Sequence, residues 1–178
     1  MILDSLLQFD AASSLAIGAG TQNSQNVLDL HATNELPVLA NLQGARGMGF
    51  GDDPALKLLV QVSVTFTSGG AATLAVAFQG ATDNGSGAPS AFNTWYTSPT
   101  YALATLVQGA RLLDMDMPRP PAGIAIPRFL RLVYTVGSTS FTAGTVNAYI
   151  VLDRMDQYYT SNSNAVMGGY PPGITVAN

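Results

Sequence analysis

The sequence predicts an all-β protein, a jelly-roll-like antiparallel β-sandwich of about eight strands with extended N- and C-terminal arms. Three observations carry that expectation. Apolar and polar residues alternate over several stretches between 55 and 153, the two-residue period that buries one face of a strand. Turns rich in Gly, Ser and Pro separate those stretches, drawn from 18 glycines and 10 prolines, which suits short strands joined into two packed sheets. Helical candidates are short and carry no sustained apolar stripe.

In chain order, residues 1–26 look like an arm that begins apolar, Met1-Ile2-Leu3-Asp4-Ser5-Leu6-Leu7, and turns polar at Thr21-Gln22-Asn23-Ser24-Gln25-Asn26. Asp10 to Ala16 is the one place for a turn or two of helix. A weak strand is expected at 27–30. Gly44-Ala45-Arg46-Gly47-Met48-Gly49-Phe50-Gly51 reads as a permissive connector, because a phosphate loop needs a helix after it and here Asp52-Asp53-Pro54 would repel the anion.

Residues 55–67 then alternate, with Leu58, Val60, Val62, Val64 and Phe66 on one face and Gln61, Ser63, Thr65 and Thr67 on the other. After the turn Ser68-Gly69-Gly70-Ala71, residues 73–82 resume the period with Leu74, Val76 and Phe78. The pair is expected to form an antiparallel hairpin. A polar loop at 80–90 precedes weaker strands near 94–97, 102–107 and 111–115, and Met117-Pro118-Arg119-Pro120-Pro121 makes a stiff linker. Residues 128–136 place Leu130, Leu132, Tyr134 and Val136 on one side and Phe129 and Val133 on the other. Gly137-Ser138-Thr139-Ser140 leads to 145–153, where Val146, Ala148, Ile150 and Leu152 face the core, so a second hairpin is expected. The organisation is thus an arm at 1–26, a sandwich at 27–153 and a C-terminal arm at 154–178.

Charge is scarce. Only 10% of the residues are Asp, Glu, Lys or Arg, and Lys57 is the sole lysine, against ~25% in ordinary soluble domains. Interface cores are depleted in such residues, so the composition points to a surface covered by sister subunits or a larger assembly. No window of 18 apolar residues supports a membrane span. The start lacks the basic region of a secretory signal, so synthesis in the cytoplasm is expected. Absence of cysteine removes disulfides, thiolate metal sites and cysteine nucleophiles. A net charge of -4 argues against gripping a nucleic-acid backbone.

The inventory for catalysis is thin. His31 is the only histidine, with no nucleophile-elbow motif beside it, and a lone histidine makes neither a triad nor a transition-metal site. Asp114 and Asp116 would share one face of a strand and Asp52-Asp53 lie in a Gly-rich stretch, yet a glycosidase needs two carboxyls held across a cleft. The simpler role for these aspartates is to solvate loops or pair with Arg111, Arg119 or Arg128. Trp95, Tyr96 and Tyr101 would be the stacking platform if the protein bound sugars. Asp83-Asn84-Gly85-Ser86-Gly87 lacks the alternating acidic ligands of a calcium loop and is expected to be a hairpin tip. No cofactor and no metal are expected.

Several segments in order carry a resemblance: the start Met1 to Ala12, the strand pair Leu59-Val60-Gln61-Val62-Ser63-Val64-Thr65-Phe66-Thr67-Ser68-Gly69-Gly70-Ala71-Ala72-Thr73-Leu74, and Phe129-Leu130-Arg131-Leu132-Val133-Tyr134-Thr135-Val136 leading into Phe141-Thr142-Ala143-Gly144-Thr145-Val146. Over about residues 1–153 the chain resembles the capsid cement proteins of tailed bacteriophages, the kind first described for a Bordetella podophage. The resemblance implies a jelly roll that associates with itself, commonly as a homodimer with a trimer as the other option. It implies a place on the outside of the virion's icosahedral shell, where the protein bridges neighbouring subunits of the major capsid protein. It implies no catalysis, no direct nucleic-acid contact and no membrane. On that expectation Ile2, Leu3, Leu6, Leu7 and Phe9 form a docking strip, and Tyr158, Tyr159 and Tyr170 anchor the tail. The alternative is a carbohydrate-binding or receptor-binding module on the same fold, and a third option is a glycan-cleaving enzyme using the aspartates.

Overall fold

A computed structural model of the chain describes residues 7–16, 18–30, 56–124 and 127–152. Ten strands run in the order β1 Gln8–Ser14, β2 Gly20–Asn23, β3 Leu28–Asp29, β4 Leu56–Ser68, β5 Thr73–Ala81, β6 Asn93–Thr97, β7 Tyr101–Ala102, β8 Arg111–Asp116, β9 Phe129–Gly137 and β10 Phe141–Leu152. They form two antiparallel sheets. The first has the order β1-β10-β4-β8; the second has β2-β9-β5-β6, with β3 also on β9 and β7 also on β5. Because β2 and β3 share one position and β6 and β7 share another, the ten strands fill eight positions, four per sheet, the double-sheet arrangement of a jelly roll.

The core lies between the sheets and is built by alternation. Leu58, Val60 and Val62 of β4 and Val146, Ala148 and Ile150 of β10 meet Leu74, Val76 and Phe78 of β5 and Leu130, Leu132 and Tyr134 of β9. All are buried, and burying each large apolar side chain contributes roughly 1.5–3 kcal/mol. The strands expected from alternation at 55–67, 73–82, 128–136 and 145–153 are therefore present, and so are short ones near 27–30, 94–97 and 111–115.

Neither expected hairpin exists. β4 and β5 belong to different sheets, as do β9 and β10. Alternation reports which side of a strand is dry and is silent on whether the next strand lies beside it or across the core. Turns 69–72 and 138–140 accordingly carry the chain from one sheet to the other.

Much of the stretch expected to be an N-terminal arm lies in the two sheets. From Gln8 onward the stretch supplies β1, which pairs with β10, and β2 and β3, which pair with β9. The helical candidate at Asp10 to Ala16 falls on β1 and beyond it. Bulges explain the misreading: the β1–β10 register shifts twice and Ala12 sits at φ 48°, so the two-residue period is broken where it would have shown. A bulge likewise turns Val64 outward to 51% exposure, against its expected place in the core. In β10, adjacent residues Val146 and Thr145 pair with Val62 and Val64, leaving Ser63 as an extra residue.

The topology sorts the chain's connections by end. Leu152 pairs with Leu56, and Gln8 pairs with Tyr149 close by; the Met117 amide donates to the Leu56 carbonyl. In the other sheet the Leu30 amide donates to Arg128 and the Arg128 amide to Ala81. The Asn26 amide reaches across to the Phe9 carbonyl at 3.0 Å, which fixes these as the same end of the sandwich. The points where the chain leaves before Leu7, after Leu30, before Leu56 and after Leu152 thus gather at one pole, with loops 82–92 and 117–128. The corner turns 69–72 and 138–140 occupy the opposite pole.

Candidate functional site

One arginine ties together the second sheet's side of the pole. Arg128, at the start of β9, donates from Nε and Nη2 to the two carboxylate oxygens of Asp29, each at 2.8 Å, and from Nη1 to Asp83. This bidentate geometry is the strongest form of ion pair. It ties β3, β9 and loop 82–92 together, and hydrogen bonding to Asp29 pushes the guanidinium's pKa up further. Asp83 also organises its own loop: Oδ1 accepts from the amides of Gly85 at 2.8 Å and Gly87 at 3.0 Å. These bonds, the Gly85 one foremost, hold its carboxyl below the usual aspartate range. The expected hairpin tip at 83–87 is there, with Asp83 turned inward to Arg128 and two amides.

Next to it, Arg131 lies over the Phe92 ring at 3.8 Å and donates to Gln79 at 2.8 Å. Loop 82–92 thereby folds over the outer face of the second sheet. The signal for this cluster in the sequence was an arginine at each end of Arg128-Phe129-Leu130-Arg131, inside an otherwise apolar strand; its partners are set only by the fold.

The other charges are matched locally as well. Lys57 meets Asp116 at 2.6 Å and Arg111 meets Asp114 at 3.3 Å. Asp114 thus has one of the expected partners, while Asp116 pairs with the one lysine. Among the described residues no group of three or more acidic, His or Cys side chains could hold a metal. The described stretches contain Lys57, Arg111, Arg119, Arg128 and Arg131 against Asp10, Asp29, Asp83, Asp114 and Asp116, so they are electrically balanced. The net charge of -4 therefore falls on the remaining segments, which carry Asp4, Glu35, Arg46, Asp52, Asp53, Asp153, Arg154 and Asp156, and all of these leave the sandwich at the same pole.

The aromatic trio does not make an open platform. Trp95, Tyr96 and Tyr101 are partly buried against the core. Trp95 meets Phe78 edge-on at 5.6 Å and lies so close over Gly80 that a Cβ there would be 2.3 Å from its ring. The register of β5 with β6 slips at this point, with Phe78 opposite Tyr96 and Gln79 opposite Thr94. The extra residue lets two consecutive aromatics pack inward. The Tyr101 hydroxyl donates to the Leu112 carbonyl across the gap between sheets, and burial raises its pKa.

Of the expected docking strip, Phe9 is corrected. It is fully buried and meets Phe78 edge-on at 6.2 Å, because β1 pairs with β10 and turns this side chain into the sandwich. Leu7 is half-buried against the same core. Ile2, Leu3, Leu6, Tyr158, Tyr159 and Tyr170 lie outside the described residues, as do His31, Asp52, Asp53 and the glycine cluster 44–51.

A profile of the Bbp16 family matches residues 11–150. The chain belongs to the Bbp16 family. Bbp16 is a family of Bordetella phage proteins, in keeping with the resemblance noted from the sequence. The matched stretch runs from within β1 to within β10, so the Bbp16 signature coincides with the jelly roll and ends before the tail. No curated protein matches the chain. Among the described residues no helix is long and apolar enough to cross a membrane.

Proposed function

We propose that this Bbp16 protein is a non-enzymatic capsid cement, or decoration, protein that binds the outside of the phage's icosahedral shell and bridges neighbouring major capsid subunits, acting as a homo-oligomer, with a dimer favoured. The observation that carries this reading is the division of labour in the chain: a charge-balanced jelly roll of a phage family, with its long segments rooted at one pole. A cement has to be rigid in its body and adaptable where it meets the shell. The two-sheet core and the Arg128 tie supply rigidity. The segments that leave from the pole contain apolar side chains such as Ile2 and Leu3 and carry the molecule's net negative charge.

The energetics favour the same arrangement. A contact that buries an unpaired ion costs several kcal/mol, and a body in which Lys57, Arg111 and Arg128 already pair with aspartates avoids that cost wherever those pairs are covered. Each contact with a capsid subunit can be modest, because a protein engaging two subunits at once gains from effective concentration and many copies act in parallel. A shell pressurised by packaged DNA fails where subunits part, and a clamp across that seam adds binding free energy that rupture has to overcome.

Heads assembled with and without the protein test the role. The expected result is that heads lacking it release DNA at a temperature several degrees lower, and that adding purified protein restores the midpoint. Identical release with and without bound protein would remove the cement role.

A further inference from the structure

Asn84-Gly85, at the exposed tip of loop 82–92, is the only Asn-Gly pair in the chain. Such a pair is chemically labile, because a glycine leaves the backbone nitrogen that follows the asparagine unshielded. That nitrogen can attack Cγ of the side-chain amide. The new N–C bond closes a succinimide ring, the Cγ–Nδ2 bond breaks, and Nδ2 leaves as ammonia with the proton lost from the backbone nitrogen. Solvent water then opens the ring at either carbonyl. The residue ends as aspartate or as isoaspartate, whose extra carbon lengthens the main chain.

The turn uses both members of the pair. Gly85 sits at φ +92°, a left-handed conformation that favours glycine. Asn84 Oδ1 accepts from the Ser86 amide at 2.9 Å and from the Ser86 hydroxyl at 2.7 Å, which shapes the tip. The labile pair is thus built into the loop, and what decides its fate is the environment of the attacking nitrogen.

Hydrogen bonds to Oδ1 draw charge from Cγ and by themselves favour attack. The nitrogen, however, attacks only once it has lost its proton, and the Gly85 N–H donates to Asp83 Oδ1 at 2.8 Å. A carboxylate at that distance stabilises the N–H and repels the anion that its loss would leave. Asp83 is also a feeble base, since the Gly85 amide foremost, then Gly87 and Arg128, hold its carboxyl below the usual range. We propose that Asp83 guards the Asn84-Gly85 pair against cyclisation, and that the Arg128 tie keeps the guard in position. Arg128 takes Oδ2 of Asp83, which leaves Oδ1 aimed at the amides of Gly85 and Gly87. The base of the tip is closed as well: Asp83 bridges to Pro89, and the Asn84 amide donates to the Ala88 carbonyl at 2.9 Å. Conversion of residue 84 would set a second carboxylate beside Asp83, in competition for Arg128.

The test uses the free, full-length protein and does not depend on the capsid role. Wild type is held at mildly alkaline pH beside the same chain unfolded in guanidinium chloride, and conversion at residue 84 is followed by peptide mass mapping. Conversion in the folded protein is expected to be roughly 10- to 100-fold slower, the worth of a hydrogen bond to a charged acceptor. Asp83→Ala should recover most of the lost rate. Hydrogen exchange at the Gly85 amide reads the same proton in unsubstituted protein, should the variant fail to fold, and is expected to be slowed by a similar factor. Equal conversion in folded and unfolded wild type would overturn the proposal. So would full protection in a folded Asp83→Ala protein, or Gly85 exchange at the unfolded-chain rate.

Discussion

Gly144→Ala is expected to lower stability by about 2–5 kcal/mol, from backbone strain and overpacking together. Gly144 sits inside β10 at φ +137°, a conformation L side chains rarely adopt. A Cβ there would stand 2.3 Å and 2.4 Å from two ring carbons of Phe66. The ring cannot move aside cheaply, since Phe66 is buried and packed on Phe141 with centroids 4.7 Å apart. β10 in turn pairs with both β1 and β4, so displacing its backbone disturbs three strands. Denaturant unfolding checks this. The midpoint should fall with little change in slope, while Gly69→Ala, in open space with ordinary backbone angles, should be nearly neutral. Equal midpoints for the two variants would contradict the account of the β4–β10 bulge.

Asp10→Ala is expected to cost about 2–4 kcal/mol, because it strips the acceptor from the buried Tyr134 hydroxyl, worth ~1–3 kcal/mol when left unpaired, and removes a second hydrogen bond from the part-buried Gln25 amide. The Asp10 carboxylate is fully buried. It accepts from the Tyr134 hydroxyl at 2.6 Å and from the Gln25 amide at 2.8 Å. Burial, reinforced by the neighbouring carboxylate, pushes the Tyr134 pKa well above 10, so the hydroxyl keeps its proton and donates. The bond joins β1 of one sheet to β9 of the other. Tyr134→Phe keeps the ring in place and removes one donor, at an expected cost of about 1.5–3 kcal/mol. In a double-mutant cycle the two substitutions should be strongly non-additive. Simple additivity would show that the two side chains do not act as a pair.

The legible part of the fold was the part whose strands alternate without interruption, β5 and β9 along most of their length and β4 and β10 away from the bulge they share. β4, β5, β9 and β10 each show a clean period because one face meets the core along most of their length. Pairing was not legible. A strand whose apolar face is satisfied by a partner across the core looks the same as one in a hairpin, and both hairpin expectations failed for that reason. Bulges hid the rest. Val64 left the core, Trp95 and Tyr96 both packed against it from the same strand, and β1 lost its period where Ala12 takes a positive φ.

Site residues depended on the same long-range information. The run Met1-Ile2-Leu3-Asp4-Ser5-Leu6-Leu7-Gln8-Phe9 has no local mark of where a docking strip would end and a core strand begin. The boundary is set by the pairing of Gln8 with Tyr149, a residue far along the chain. Arg128 and Asp29 are similarly remote and meet only because β3 and β9 are neighbours in the second sheet. What composition did convey, without any pairing information, was a body that keeps few charges for solvent.

The most direct test of the capsid role is co-sedimentation of the purified protein with phage capsids that lack it, after its mass in solution has been fixed by light scattering. A stable oligomer that saturates the capsids at a fixed ratio to the major capsid protein is the predicted result. A monomer that stays in the supernatant at every concentration would contradict the proposal.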